Sequence, residues 1–168
     1  MEGQHKSLRT IRNKLQKAGL RFEVIPKAGV PEELARLRDI SNDWLAKNAS
    51  EKGFSLGFFS EAYMLRFPCA VVKQGDKIIA FANVILGAEK SELSIDLMRH
   101  ASDGPNGLMD FLFTELILWG KQEGYQSFNL GIAPLSGIES RPLAPLWNKA
   151  IDLVFRHGDR FYSFEGLR

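Results

Sequence analysis

Ser94 Ile95 Asp96 Leu97 Met98 Arg99, then Asp103 Gly104 Pro105 Asn106 Gly107, then Leu108 Met109 Asp110 Phe111 Leu112 Phe113 and onward to Glu123: this stretch decides the fold. It reads as a strand ending at Arg99, a glycine-containing loop, and a helix from Leu108 to about Glu123 closed by Gly124. A helix that starts behind such a loop presents backbone N–H groups with no intrahelical partner, where a phosphate or carbonyl oxygen can sit. Gly104 and Gly107 are small enough to let a ligand approach that corner closely. A plain strand-to-helix connection is the other meaning of the same residues. The helix is so rich in apolar residues that it is expected to be nearly surrounded by protein.

Upstream, Ala70–Lys73 and Ile78–Leu86 flank Gln74 Gly75 Asp76 Lys77 and predict a hairpin, and a turn over Gly87–Ser91 returns the chain into a third strand, Glu92–Arg99. Further back, Leu8, Ile11, Leu15 and Ala18 recur at helical spacing before Gly19, which predicts a helix over 7–18 and then a short strand Arg21–Ile25. Pro31 opens a second helix with Glu32 and Glu33 in its first turn, where carboxylates suit the positive end of the dipole, and it runs to about Ala46. Residues 47–59 read as a loop with buried aromatics, and Ser60 can cap a short helix through Leu65. Downstream lie a strand at Gln126–Leu130, a helix at Leu146–Phe155 and a last strand at Arg160–Phe164. Helix, strand, helix, meander, glycine loop, helix, strand, helix, strand argues for a mixed α/β sheet with helices on its faces, and against a doubly wound nucleotide fold.

The 168 residues, 45% hydrophobic and 25% charged, suffice for one domain with a buried core, which excludes disorder as the main state. The longest apolar runs fall far short of the roughly 20 residues that cross a bilayer. The polar, basic start Met1–Arg12 has no secretory pattern, so a cytosolic chain is expected. The lone Cys69 sits in an apolar run and suits a small buried hydrophobe. His5, His100 and His157 have no partners at metal-ligand spacing, so no metal site is expected. The net charge is only +2, yet residues 1–27 hold seven Lys and Arg against Glu2 and Glu23. A polyanion can dock on that basic run, which otherwise is a solvated helix face.

The strand, glycine loop and helix around Arg99, Gly104 and Gly107 resemble the acyltransferase fold of the GCN5-related N-acetyltransferases, with its mixed, largely antiparallel sheet and helices on both faces. Longer segments are more specific. Ser50–Gly57, Ser94–Arg99, Asn129–Leu135 and Phe164–Arg168 resemble the C-terminal synthase domain of phosphatidylglycerol lysyltransferases, and Arg12–Ile25 is similar to the same family just upstream. The resemblance implies transfer of an aminoacyl group, typically lysyl, from a charged transfer RNA to a glycerol hydroxyl of phosphatidylglycerol at the cytoplasmic face of the membrane. It implies no dissociable cofactor, since aminoacyl-tRNA is the acyl donor, and a membrane-embedded flippase region in the longer protein. Residues 1–46 would be the end of a first acetyltransferase-like unit with connecting helices, and 47–168 a second such unit truncated at its C-terminus, in one compact body. An N-acetyltransferase using acetyl-coenzyme A, and a noncatalytic piece that binds transfer RNA or lipid, are the competing readings.

Asp96 and Arg99 match the family's Asp-x-x-Arg pair. At the end of a central strand they can reach one cleft, although alternation points their Cα–Cβ bonds differently. On the resemblance, Asp96 would hold or activate the acceptor hydroxyl or the substrate ammonium, and Arg99 would meet phosphate or oxyanion charge. A structural ion pair is the plainer reading. Glu51 suits either the ammonium of a lysyl group or a solvated loop acid. Asn129, expected near the glycine loop, can orient a carbonyl or ribose hydroxyl or cap the turn into Gly131, which with Gly104 and Gly107 completes the substrate-binding set. Trp44, Trp119 and Trp147 fall on helical stripes and read as core rather than base-stacking platforms, and Phe54, Phe58 and Phe59 as buried rather than as a lipid path.

Overall fold

The computed structural model describes residues 2–47 and 58–129. The chain divides into two units, Met1–Leu130 and Gly131–Arg168, and all described residues belong to the first. The helix expected at 146–155, the last strand, Glu51, Gly131, Phe54 and Trp147 lie outside the described residues.

The elements are α1 (Glu2–Lys17), β1 (Leu20–Ile25), α2 (Val30–Lys47), the short α3 (Glu61–Met64), β2 (Cys69–Gln74), β3 (Lys77–Leu86), β4 (Glu92–His100), α4 (Leu108–Gln122) and β5 (Ser127–Asn129). They form one sheet in the order β1-β2-β3-β4-β5. The first three pairings are antiparallel, and β4–β5 is parallel. A parallel neighbour needs a crossover, and α4 supplies it. Gly75, at φ 61°, turns the β2–β3 hairpin in a conformation that other residues avoid.

Helices cover both faces. Leu15 of α1 and Leu108, Phe111, Leu112 and Leu116 of α4 pack on one face against Ala70, Val72, Val84 and Leu93. Leu37 and Ile40 of α2 and Met64 of α3 pack on the other against Cys69, Val71, Phe81 and Leu97. Successive residues of β2 thus enter different cores, which explains why that strand reads as an unbroken apolar run. Cys69 is fully buried, and burial pushes its thiol up to about 12, so it is an inert packing group.

Three expectations need correction, the first being Phe58, which was expected to be buried and is 48% exposed. α4 is not surrounded: Ile117 is 44% and Leu118 37% exposed, because α1 covers only part of its outer surface. Ser60 precedes α3 in extended conformation, but its side chain makes no capping bond. Its carbonyl accepts the N–H groups of Tyr63 and Met64 instead.

Candidate functional site

The site grows from an irregularity in β4. Ala82 pairs with Met98 and Val84 with Ile95, so Asn83 alone stands opposite both Asp96 and Leu97. This is a β-bulge, an extra residue that shifts the phase of side-chain alternation. Leu93 and Ile95 enter the α1–α4 core, Leu97 enters the α2–α3 core, and Met98 returns to the first. The slip cancels the difference in direction that strict alternation gives Asp96 and Arg99. Both side chains reach the α2–α3 face, where Asp96 meets Tyr63 of α3 and Arg99 meets Trp44 of α2.

Tyr63 donates its hydroxyl to Asp96 Oδ2 at 2.6 Å. Burial, then the hydrogen bond to the carboxylate and its charge, holds the Tyr63 phenol above its ordinary value, so it stays a donor. Phe58 stacks on the Tyr63 ring at 6.4 Å and Phe67 meets its edge at 5.1 Å. Asp96 Oδ1 makes no hydrogen bond to the described residues, and the side chain is half-buried.

The Arg99 guanidinium lies 4.1 Å from the Trp44 ring centroid, and Arg99 is 8% exposed. Its Nη1 donates to the Met98 carbonyl at 2.8 Å. A guanidinium over an indole face is attracted by the ring's negative π face, which helps to hold it in place. The preceding residue, Asp43, accepts the Ser102 N–H at 2.7 Å and the Ser102 hydroxyl at 3.0 Å. Those two bonds hold the Asp43 carboxyl below its usual range. Adjacent residues of α2 therefore fix both the guanidinium and the first residues of the loop behind β4.

The glycine corner is closely packed. Gly107 has φ 83°, and a Cβ there would lie 2.7 Å from Ile11 Cγ2 of α1. A Cβ on Gly104 would lie 2.6 Å from Leu108 Cδ2. The space that a side chain would take is filled by protein, so close packing requires glycine at both positions and the turn requires it at Gly107. The N–H groups of Gly104 and Leu108 are also taken, by the carbonyls of Ala101 and Pro105.

Asn129 does not stand near that corner. It pairs opposite Ser94 and its amide reaches Glu92 at 3.2 Å, toward the start of β4, whereas the loop leaves the other end about 20 Å away at strand rise. In the basic helix, Arg12 is bound to Glu115 of α4 at 2.6 Å, while Arg9, Lys14 and Lys17 are exposed. A cavity of about 400 Å³ lined by Arg21, Phe22, Glu23, Arg36, Lys73 and Asp76 lies at β1–β2, with β3 between it and β4. Its Lys73 is paired with Glu23 at 2.8 Å. Among the described residues, no group of three His, Cys, Asp or Glu side chains could hold a metal ion, and no helix is long and apolar enough to cross a membrane.

The sequence reading missed Tyr63, Asp43 and Asn83. Tyr63 sits in a four-residue helix with no periodicity to mark it. Asn83, a lone amide inside the apolar run 78–86, was a legible signal. Trp44, expected in the core, is half-buried and stands outside both core clusters, with Arg99 over its ring.

A family model described as phosphatidylglycerol lysyltransferase, C-terminal, matches residues 1–168. The phosphatidylglycerol lysyltransferase of Bacillus subtilis (strain 168) is 40% identical over 163 residues, which is 96% of this chain and 19% of that protein. The chain thus spans about a fifth of the length of the curated relatives it matches. The crystal structure of the C-terminal domain (DUF2156) of a candidate lysylphosphatidylglycerol synthetase from Agrobacterium fabrum superposes with a TM-score of 0.78 at 41% identity, covering 95% of this chain and 47% of that one. A candidate N-acetyltransferase from Lactobacillus plantarum, at 12% identity and a TM-score of 0.51 over 76% of this chain and 93% of that one, shares the fold alone. The sheet is accordingly that of the GCN5-related acetyltransferases, and the chain belongs to the family of phosphatidylglycerol lysyltransferase C-terminal domains.

Proposed function

We propose that this chain carries the transfer chemistry of a longer protein that moves a lysyl group from aminoacyl-tRNA to a glycerol hydroxyl of phosphatidylglycerol, at the cytoplasmic face of a membrane that a flippase region of the same protein spans. The relatives' names support the lysyl group and the lipid. The observation that carries the reading is the Asp96 carboxylate, fixed at one oxygen by Tyr63 and carrying no hydrogen bond from the described residues at the other, on the same face as Arg99.

The acyl donor is already an ester, so the reaction needs position and charge rather than a dissociable cofactor. The glycerol oxygen bonds to the lysyl carbonyl carbon, and the bond from that carbon to the ribose oxygen breaks. Asp96 Oδ1 accepts the hydroxyl proton as the new bond forms and returns it to the departing ribose oxygen. Arg99, its guanidinium positioned over Trp44, offsets the negative charge of the lipid phosphate or of the developing oxyanion. The exposed Arg9, Lys14 and Lys17 of α1 offer phosphate contacts to the transfer RNA. Glu51 is assigned the lysyl ammonium, and Asn129 and Gly131 remain substrate-binding assignments at the β5 end.

The test is incubation of labelled lysyl-tRNA and phosphatidylglycerol vesicles with the chain and with its Asp96→Ala variant, with acetyl-coenzyme A binding measured by calorimetry in parallel. Labelled lipid that depends on Asp96 supports the reading. Acetyl-coenzyme A binding without labelled lipid favours the N-acetyltransferase, and salt-sensitive RNA or vesicle binding without either favours a binding module.

A further inference from the structure

We infer that Asn83 is a positioning residue for this transfer, building the bulge that delivers Asp96 to Tyr63. The inference rests on the role given to Asp96 above. Asn83 is fully buried on β3, and its Oδ1 accepts two backbone N–H groups of β4, from Asp96 at 3.1 Å and from Leu97 at 2.7 Å. Two donors converging on one atom identify it as the oxygen. The bulge brings two buried N–H groups to one strand residue, and buried N–H groups must be satisfied. Here the side-chain amide oxygen accepts both, which ties the bulge to this side chain.

That arrangement has a cost that packing does not explain. Asn83 Nδ2 is buried with no hydrogen-bond partner, close enough to the Tyr63 oxygen to counter part of the rise in its pKa without closing a bond. An apolar residue in a regular ladder would avoid the orphaned donor, but it would restore strict alternation and turn Asp96 away from Arg99. Asn83 thus fixes the Asp96 main chain while Tyr63 fixes its carboxylate.

The signs of the forces on Tyr63 provide the test. Asp96 of β4 raises its pKa, by hydrogen bond and by charge, whereas Asn83 of β3 and the more weakly acting Arg66 behind α3 lower it. If Asn83 only fills space, Asn83→Val removes its own lowering influence and the phenol titrates higher. If Asn83 positions Asp96, the variant also swings the carboxylate away, removes the larger opposing influence, and the phenol titrates lower. NMR of tyrosine labelled at the ring Cζ in the full chain, with the resonance assigned by Tyr63→Phe, reads that direction without any activity.

The expected result for Asn83→Val is a Tyr63 titration moved down, faster amide exchange at Asp96 and Leu97, and a transfer rate lower by about 10- to 100-fold with KM for both substrates kept. A Val72→Ala variant, which thins the core under β2, should lower Tm while keeping the Tyr63 titration and the transfer rate. A Tyr63 titration that is unmoved or moved up overturns the inference. Asn83→Ser, which leaves room for water, gives the same reading should the valine variant fail to fold. Normal transfer by a folded Asn83→Val chain alongside an inactive Asp96→Ala chain would sink this inference alone. No transfer by the unaltered chain sinks the lysyl-transfer reading and leaves the titration test standing.

Discussion

The two faces of the sheet use their residues differently. Against α1 and α4 the sheet presents an apolar core, and its ion pair Arg12–Glu115 joins the two helices outside that core. Against α2 and α3 it also buries a core, but Asn83, Asp96 and Arg99 project through that layer and find Tyr63, Trp44 and a main-chain partner there. Polar groups are costly in such a layer unless each is matched. The first face therefore holds the fold, and the second spends part of its stability on holding charged groups at fixed positions.

Five changes break or sharpen that contrast. Asp96→Ala should lower lysyl transfer by about 10²- to 10⁴-fold, with a loss of thermal stability limited to that of the one hydrogen bond to Tyr63, because a half-buried acid does little packing. Wild-type transfer in that variant would mean that the polar face has been misread. On the other face, Phe111→Ala removes a ring that is 1% exposed and should cost about 3–5 kcal/mol in denaturant unfolding, with transfer per folded molecule kept. Tyr63→Phe loses a hydrogen bond to a charged group and should slow transfer by about tenfold to a hundredfold, measured as kcat on vesicles. Arg12→Ala breaks an ion pair with side chains 32% and 12% exposed, and should cost no more than about 1 kcal/mol, less in high salt.

The smallest effect at neutral pH is expected at Asp43. Its folded-state pKa is lowered by the two bonds from Ser102, so the stability it contributes is present above its unfolded pKa of about 3.9 and disappears as pH falls through the folded value. Asp43→Asn should lack that acid-side loss, as a flatter dependence of Tm on pH below about 4 would record.

The elements were legible where a single period governs a segment. Leu8, Ile11 and Leu15 marked α1, whose start at Glu2 lies more than a turn before the expected residue 7, while Pro31 with Glu32 and Glu33 marked α2 and the turn at Gly75 marked the hairpin, both close to the observed bounds. Asp96 and Arg99 were legible as candidates, but the face of the sheet that they share was not. Strict alternation cannot foresee a phase slip that depends on the side chain of residue 83 on a neighbouring strand. The packing of the glycine corner was not legible for a similar reason, because only Ile11, far away in sequence, decides what fills the space beside Gly107.

The pairing order of the strands has a kinetic consequence. β2, β3 and β4 follow one another through tight turns, so their ladders can zip from local hairpins with little chain entropy lost per step. β5 can join only after α4 has formed and folded back across the sheet, which makes the parallel pairing with β4 a late event in self-assembly.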